Sequence, residues 1–318
     1  MDLTSRSRLP GLPGLPGLPG RRPGRPAQAA EPARPAPPEP PALPDRPALP
    51  DLPGSRTEAD GSAVIRVLSY NIRSLRDDED ALARVIRACA PDLVFVQEAP
   101  RFFRWRKHAA RLAAKSDLVV LSGGATAAGP LLLCSLRAFV ERTEDVLLPL
   151  TPGLHRRGFA TAVVRFGGAR VAVLSAHLPL EAGERRAHAE ELLARLGAGD
   201  ADAPDAPDMP DAPDVLPYGI AAADVNETPD GAVFRRLAGA LQDCRAVAPW
   251  GGEHTFVRAG VPRRIDAVFA TPGVEVLGCG VPVGLGGVSD ADLAAASDHL
   301  PVLAALRLPV GPARAAGG

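Results

Sequence analysis

Apolar runs of strand length recur along the chain from residue 63 to residue 308, separated by amphipathic stretches and by turn-forming residues. The runs at 63–70, 92–97, 118–121, 131–136, 159–166, 170–176, 220–223, 261–271, 274–280 and 302–308 read as strands, the first of them buried. Helical spacing appears at 77–89, where Leu82, Val85, Ile86 and Cys89 share one face, acids fill the first turn and Pro91 stops the element. Helices are also predicted at 101–115, which is rich in arginine and carries Phe102, Phe103 and Trp105, and at 181–196 and 230–241. Thr228 and Pro229 suit the N-cap and first position of the last helix. Gly167-Gly168 suits a hairpin turn. Strands outnumber helices, and the chain divides near the segment 200–217 into two halves of strands with covering helices. Periodicity by itself supports an α/β class.

Two segments fall outside this pattern. Of 35 prolines, 16 lie in the first 60 residues, and Leu-Pro-Gly repeats at 12–14, 15–17 and 18–20. Proline lacks the amide donor of helices and sheets, and few large apolar groups are present, so 1–61 is expected to be a disordered, solvated arm. Its glycines keep no long collagen register. Residues 200–217 alternate Ala, Pro and Asp and read as a disordered acidic loop, because proline disperses the carboxylates that a metal tract would need to gather. The remainder, 62–309, is one domain, followed by a flexible tail at 310–318.

Charge and cysteine usage narrow the classes. With 36 basic and 37 acidic side chains, no strong positive field is available to hold duplex nucleic acid without specificity. Cys89, Cys134, Cys244 and Cys279 form no Cys-x-x-Cys pair, which excludes zinc ribbons and redox motifs. Buried thiols in a reducing compartment are expected. Residues 1–20 have no continuous apolar core for a signal peptide, and no apolar run approaches membrane-spanning length, so a cytoplasmic location is expected.

Polar motifs close the apolar runs in order: Ser69-Tyr70-Asn71, Gln97-Glu98, Ser175-Ala176-His177-Leu178, Asp224-Val225-Asn226, Arg264-Ile265-Asp266 and Ser297-Asp298-His299. Acid, amide and imidazole together are what hydrolysis of a phosphate ester by an activated water requires. Asp224 and Asn226 are two apart, so on a strand they point the same way.

This ordered set resembles the endonuclease/exonuclease/phosphatase superfamily, which includes deoxyribonuclease I, apurinic endonucleases, neutral sphingomyelinases and inositol polyphosphate phosphatases. The resemblance covers about residues 64–306. It implies a four-layer fold, a two-sheet β-sandwich flanked by helices. It also implies Mg²⁺ or Mn²⁺ held by Glu98, Asn71 and Asp298, and water activation by Asp224, Asn226 and a His299–Asp266 dyad. His177, Asn226 and Arg157 are implied to contact the substrate phosphate. Arg156 adjoins Arg157 and competes for that register. Family members usually carry Gly before the aspartate and Phe after it, where this chain has Ala223 and Val225. No glutamate partner for His177 is found between 123 and 136.

The expected activity is metal-dependent hydrolysis of a phosphodiester, with nucleic acid as the substrate class implied by the resemblance. A phospholipid or phosphoinositide is the alternative substrate, and an inactive binding module on the same scaffold is the alternative from another class. No stable membrane insertion or obligate protein partner is expected, and a monomer is.

Overall fold

In the computed structural model of the chain, residues 49–198, 218–257 and 261–311 are described. In chain order they form β1 (Arg56–Thr57), β2 (Ala63–Asn71), α1 (Glu79–Cys89), β3 (Leu93–Gln97), α2 (Trp105–Lys115), β4 (Val119–Gly123), β5 (Leu131–Cys134), β6 (Phe139–Leu147), β7 (Gly158–Phe166), β8 (Ala169–His177) and α3 (Ala182–Arg195). These are followed by β9 (Gly219–Asp224), α4 (Ala232–Ala240), β10 (Gln242–Asp243), α5 (Cys244–Val247), β11 (Asp266–Ala270), β12 (Glu275–Gly280), α6 (Asp290–Ala296) and β13 (Val302–Leu308).

Two sheets result. One runs β12-β13-β2-β3-β5-β4 with β1 added beside β2, and the other runs β10-β11-β9-β8-β7-β6. Pairing is antiparallel except for one central parallel pair in each sheet, β2 with β3 and β8 with β9. Strand alternation sends Ala63, Ile65 and Val67 of β2 into the layer between the sheets, where they join Phe95, Val164, Val171, Val268 and Leu306. Leu68 and Tyr70 face the other way, onto Leu82, Ile86, Leu112 and Leu293 of the covering helices. On the second sheet, Leu174, Ala221 and Phe269 pack outward against Leu192, Leu193, Phe234 and Leu237. Both faces of the central strands are covered, which is why their sequences read as continuous apolar runs. The fold is the expected four-layer sandwich.

The division of the chain differs from the expected one. The second sheet lies in the middle of the chain, and its strands fall on both sides of residues 200–217. The first sheet joins the start of the domain to its end, because β13 pairs antiparallel with β2 along 302–308 and 63–69. β6 escaped the pattern because all but one of its nine residues are exposed, so no buried face marks its period. α6 is short and alanine-rich, and is marked only by Ser289, whose Oγ accepts from Asp292 N at 3.0 Å. α2 starts at Trp105, after Arg104 turns left-handed at φ 57°, and its first residue packs on Gly124. The strand expected at 261–271 is confined to Asp266–Ala270.

The arm expected through residue 61 packs at its last part. Leu52 is buried in the layer beneath the helices, Trp250 Nε1 donates to Pro50 O at 2.8 Å, and β1 pairs with β2. Gly168 N donates to Gly61 O at 2.9 Å, and a methyl on Gly167 would meet Thr57 Cγ2 at 2.5 Å. Asp92 locks this region, accepting from Arg66 N at 2.9 Å, Ser135 Oγ at 3.3 Å, and the Ser55 hydroxyl, beside an Arg137 guanidinium at 2.6 Å. The stretches 1–48, 199–217 and 312–318 lie outside the described residues.

This packing makes a prediction. Leu52→Ala should cost about 2–3 kcal/mol, the low end of the range for a buried leucine truncation. In a domain of this size that is a fall in Tm of about 5–10 °C, read by calorimetry. An unchanged Tm would mean that residues 49–57 do not stabilise the fold.

Candidate active site

Strand register alone gathers most of the motifs at one edge of the sandwich. Asn71 and Gln97 are the last pair of β2 and β3, and His177 and Asp224 are the last pair of β8 and β9. Asp266, first in β11, stands opposite Asp224. Asp298 and His299 precede β13, whose first residue pairs with Ser69. The motif hydroxyls and Gln97 tie the layers together behind this edge. Ser175 Oγ donates to Val96 O at 3.0 Å across the sheets, Gln97 Nε2 reaches Ala222 O at 3.5 Å, and Ser297 Oγ donates to Asn71 O at 2.7 Å.

Asn71 is the junction of the cluster. Its Nδ2 donates to Asp224 Oδ2 at 2.9 Å and to Glu98 Oε1 at 3.3 Å, while its Oδ1 accepts from Arg73 N at 3.1 Å. Asp224 Oδ1 accepts from Asn226 N at 3.0 Å. Asn226 Nδ2 donates to Leu178 O at 2.8 Å and meets His177 Nε2 at 3.1 Å. The same nitrogen lies 3.5 Å from Asp224 Oδ2, and Nδ1 lies 4.0 Å from Glu98 Oε1. His299 Nδ1 donates to Asp266 Oδ2 at 2.8 Å, and its Nε2 lies 3.8 Å from Asp224 Oδ2. Phe256 lies against the His299 ring at 5.0 Å, and Thr255 Oγ1 accepts from Ile265 N and Asp266 N, each at 3.1 Å.

The two histidines are driven in opposite directions. Burial lowers His177 from 6.5 to about 4, with the Arg157 and His299 charges adding to it and Asp224 opposing, so it is neutral at neutral pH. Burial lowers His299 as well, but Asp266, Asp224 and Asp298 outweigh it and raise the group to about 9. His299 is therefore an imidazolium at neutral pH. Asp224 is raised by burial and by the like charge of Asp266, with the two histidines pulling the other way.

Backbone strain concentrates here. Glu98 and Asn226 take left-handed conformations at φ 53° and 56°, and Arg73, Ser74 and Leu75 do so in succession at 45°, 57° and 56°. That turn carries Arg73 back over the site, with Nε 3.1 Å from Asp298 Oδ2.

Each residue singled out in the sequence has a place at this edge. Asn71, Asp224, Asn226 and His177 form one hydrogen-bonded group with Glu98 at its mouth, and the Asp266–His299 pair stands beside it, 3.8 Å from Asp224. Asp298 instead pairs with Arg73, a residue that no sequence motif marks. Of the two arginines before β7, Arg156 is exposed and Arg157 is half-buried. Burial lowers Arg157 while Asp224 and Glu98 hold its charge, and its Nε has no hydrogen-bond partner. Thr255 and Phe256 were also missed, since a threonine and a phenylalanine outside any motif carry no signal.

The donor chemistry fits a hard divalent cation. Asp266 Oδ1 is buried without a partner, and ligand atoms of Asp224, Asp266 and His299 lie within 4.8 Å of one another. Two buried carboxylates facing one imidazolium leave surplus negative charge, and oxygen ligands suit Mg²⁺ or Mn²⁺. His299 Nδ1 is engaged by Asp266, and Glu98, whose side chain is half-exposed, brings its carboxylate to the mouth of the cluster. A separate cavity of about 520 Å³ between α2, β4 and β6, lined by Trp105, Arg106, Thr126, Glu144 and Asp145, contains none of these residues.

Residues 68–299 match the Endonuclease/Exonuclease/phosphatase family. Among curated protein sequences, none matches the chain significantly. Among solved structures, an endonuclease/exonuclease/phosphatase from Bacteroides vulgatus aligns at TM-score 0.61 and 19% identity, over 77% of this chain and 99% of that one. D. rerio TDP2, complexed with a single-strand DNA product, aligns at 0.56 and 18%, over 76% and 98%. A mannosyl-6-phosphatase from Bacteroides thetaiotaomicron aligns at 0.55 and 15%, over 76% and 99%.

The raised pKa of His299 is also a statement about stability. Its contribution is complete below pH 6.5 and is lost as pH rises through about 9. Asp266→Asn should bring the His299 titration midpoint, followed by NMR, down by about 1–3 units, the usual effect of losing an adjacent opposite charge. A midpoint that stays near 9 would show that Asp266 does not hold the proton.

Proposed function

The chain belongs to the endonuclease/exonuclease/phosphatase family, and on that premise we propose a divalent-metal-dependent phosphodiesterase acting on nucleic acid. It is a phosphoesterase of that family. The observation that carries the mechanism is His299, held 2.8 Å from Asp266 and 3.8 Å from Asp224 and protonated at neutral pH.

Glu98 and Asn71 would hold Mg²⁺ or Mn²⁺, with Asp298 joining them only by giving up its pair with Arg73. When bound, the cation polarises a phosphoryl oxygen and offsets the charge of the carboxylates. The chain's own groups do the rest. Asp224, raised by burial and by Asp266, takes the proton of the attacking water as the new P–O bond forms and the bond to the leaving oxygen breaks. Asn71 and Asn226 fix that carboxylate through its two oxygens. The His299 imidazolium donates to a phosphoryl oxygen as charge builds there. Neutral His177 offers a ring N–H and Arg157 its unengaged Nε to the same group. The resemblance implies that the His299–Asp266 dyad helps Asp224 and Asn226 activate the water; with His299 raised to about 9, we assign the base to Asp224 and a donor's part to His299.

The same fold serves a protein solved with a DNA product and a mannosyl-6-phosphatase, so the substrate has to be tested directly. Single-stranded nucleic acid is the substrate we favour, acted on by a monomer in a reducing cytoplasm. The four cysteines are buried free thiols, which supports that compartment. Among the described residues no helix is long and apolar enough to cross a membrane.

Two measurements test the reading. Hydrolysis of bis-nitrophenyl phosphate should stop in EDTA and return with Mg²⁺, and Glu98→Gln should lower kcat/KM by about 10²-fold or more while weakening Mn²⁺ binding in calorimetry. Metal affinity and turnover like those of the wild type in that variant would remove Glu98 from the cation.

The dyad gives a second test. His299→Ala should lower kcat/KM by about 10²–10⁴-fold, the scale of general acid–base assistance, and Asp266→Asn by less. The double mutant should be little worse than His299→Ala, because Asp266 acts through the ring. The alkaline limb of the wild-type pH profile should fall near pH 9 and move to lower pH in Asp266→Asn. Independent, multiplying losses would separate the two residues.

A further inference from the structure

From the exposed turn between β3 and α2, we propose that Phe102 and Phe103 form a stacking platform for bases of a single-stranded nucleic acid, seated beside the phosphate site. The inference rests on the phosphodiesterase reading for its substrate class and extends it to a surface that reading does not use.

Phe102 and Phe103 are 81% and 80% exposed, although water disfavours two adjacent phenyl rings. The turn is fixed rather than frayed. Arg101 Nη1 donates to Ala128 O at 3.2 Å, and Trp105 packs on Gly124 to begin α2. The turn adjoins the active site, since Glu98, at the mouth of the cluster, lies three residues before Arg101 in the same connection between β3 and α2.

The surroundings are those of a polyanion-binding surface. No acid occurs between residues 99 and 116. Arg104, Arg106 and Lys107 form no ion pair among the described residues. With a net charge of −1 the protein has no general field for a polyanion, so attraction has to come from such a local cluster.

The rings favour a base over a lipid. Arg104 lies over the Phe103 ring at 4.9 Å, Arg101 over Phe102 at 5.8 Å, and Arg106 over Trp105 at 4.3 Å. A ring carrying a guanidinium on one face would drag that charge into hydrocarbon on entering a bilayer, which is costly. The same ring offers its other face to a base while the guanidinium reaches the phosphate. The cavity behind Trp105 does not compete for the strand, because Glu144 and Asp145 line it.

The test uses the full chain in EDTA, so that the strand is not cut, with fluorescein-labelled oligothymidylate followed by anisotropy. Phe102→Ala and Phe103→Ala should each weaken binding about tenfold. Phe103→Leu should weaken it similarly and Phe103→Trp should restore it, which a loss of apolar contact alone would not produce. Arg104→Ala with Arg106→Ala should flatten the dependence of log Kd on log salt by about 0.7 per cation removed. Turnover of bis-nitrophenyl phosphate should stay unchanged in all of these variants. Oligonucleotide binding indifferent to both rings would overturn the platform, and so would ring-dependent binding to phosphatidylserine vesicles without binding to the oligonucleotide. A wild type that cannot hydrolyse the small diester, yet binds the strand through these rings, would remove the catalytic reading and leave the platform standing.

Discussion

The hydrogen bond from Asn71 Nδ2 to Asp224 Oδ2 joins the two sheets at the point where their parallel pairs end. It is a buried, charge-assisted contact between residues 153 positions apart, and much of the site depends on it. Without the amide, Asp224 would keep a like-charged neighbour and lose a donor in a dry environment, where an unmatched charge is expensive. The ties behind it, Ser175 to Val96 and Gln97 to Ala222, serve the same end by keeping the sheet edges at a fixed distance. Residues that look catalytic in a motif, such as Gln97 and Ser175, are thus part of the scaffold that holds the catalytic ones.

From this frame the electrostatics follow. Two histidines at the same edge, both largely buried, titrate about five units apart, near 4 and near 9. Burial dominates His177, although Asp224 lies 3.5 Å from its Nε2, whereas at His299 the hydrogen-bonded Asp266, with Asp224 and Asp298, outweighs burial. Splitting one residue type into a neutral donor and a cation by environment alone is how a single cleft supplies two chemical roles at one pH.

Much of this was legible in the sequence, for physical reasons. Strands covered on both faces appear as apolar runs, and Asn71, Glu98, His177 and Asp224 stand at or just past the exits of such runs, whereas Asp266 opens β11 and His299 lies ahead of β13. What lacked a buried face was missed, as with the exposed strand 139–147. Arg73 and Phe256 reach the site through a left-handed turn and an isolated bridge to His299, neither of which leaves a periodic trace. The division of the chain into two halves differs from the structure because a pairing between residues 63–69 and 302–308 is invisible to any local pattern. The packed segment 49–57 was hidden by the proline-rich composition of its surroundings.

That long-range pairing has a consequence for how the protein is made. β2 lies between β3 and β13, and His299 enters the site only three residues before β13 begins. A chain emerging from the ribosome completes the entire second sheet while one side of β2 still presents unpaired amides and carbonyls. Until residue 308 is free to pair, the nascent protein has an open strand edge and a cluster of carboxylates without its imidazolium. Chemistry and the closing of that edge therefore arrive together, once the β13 segment has been made.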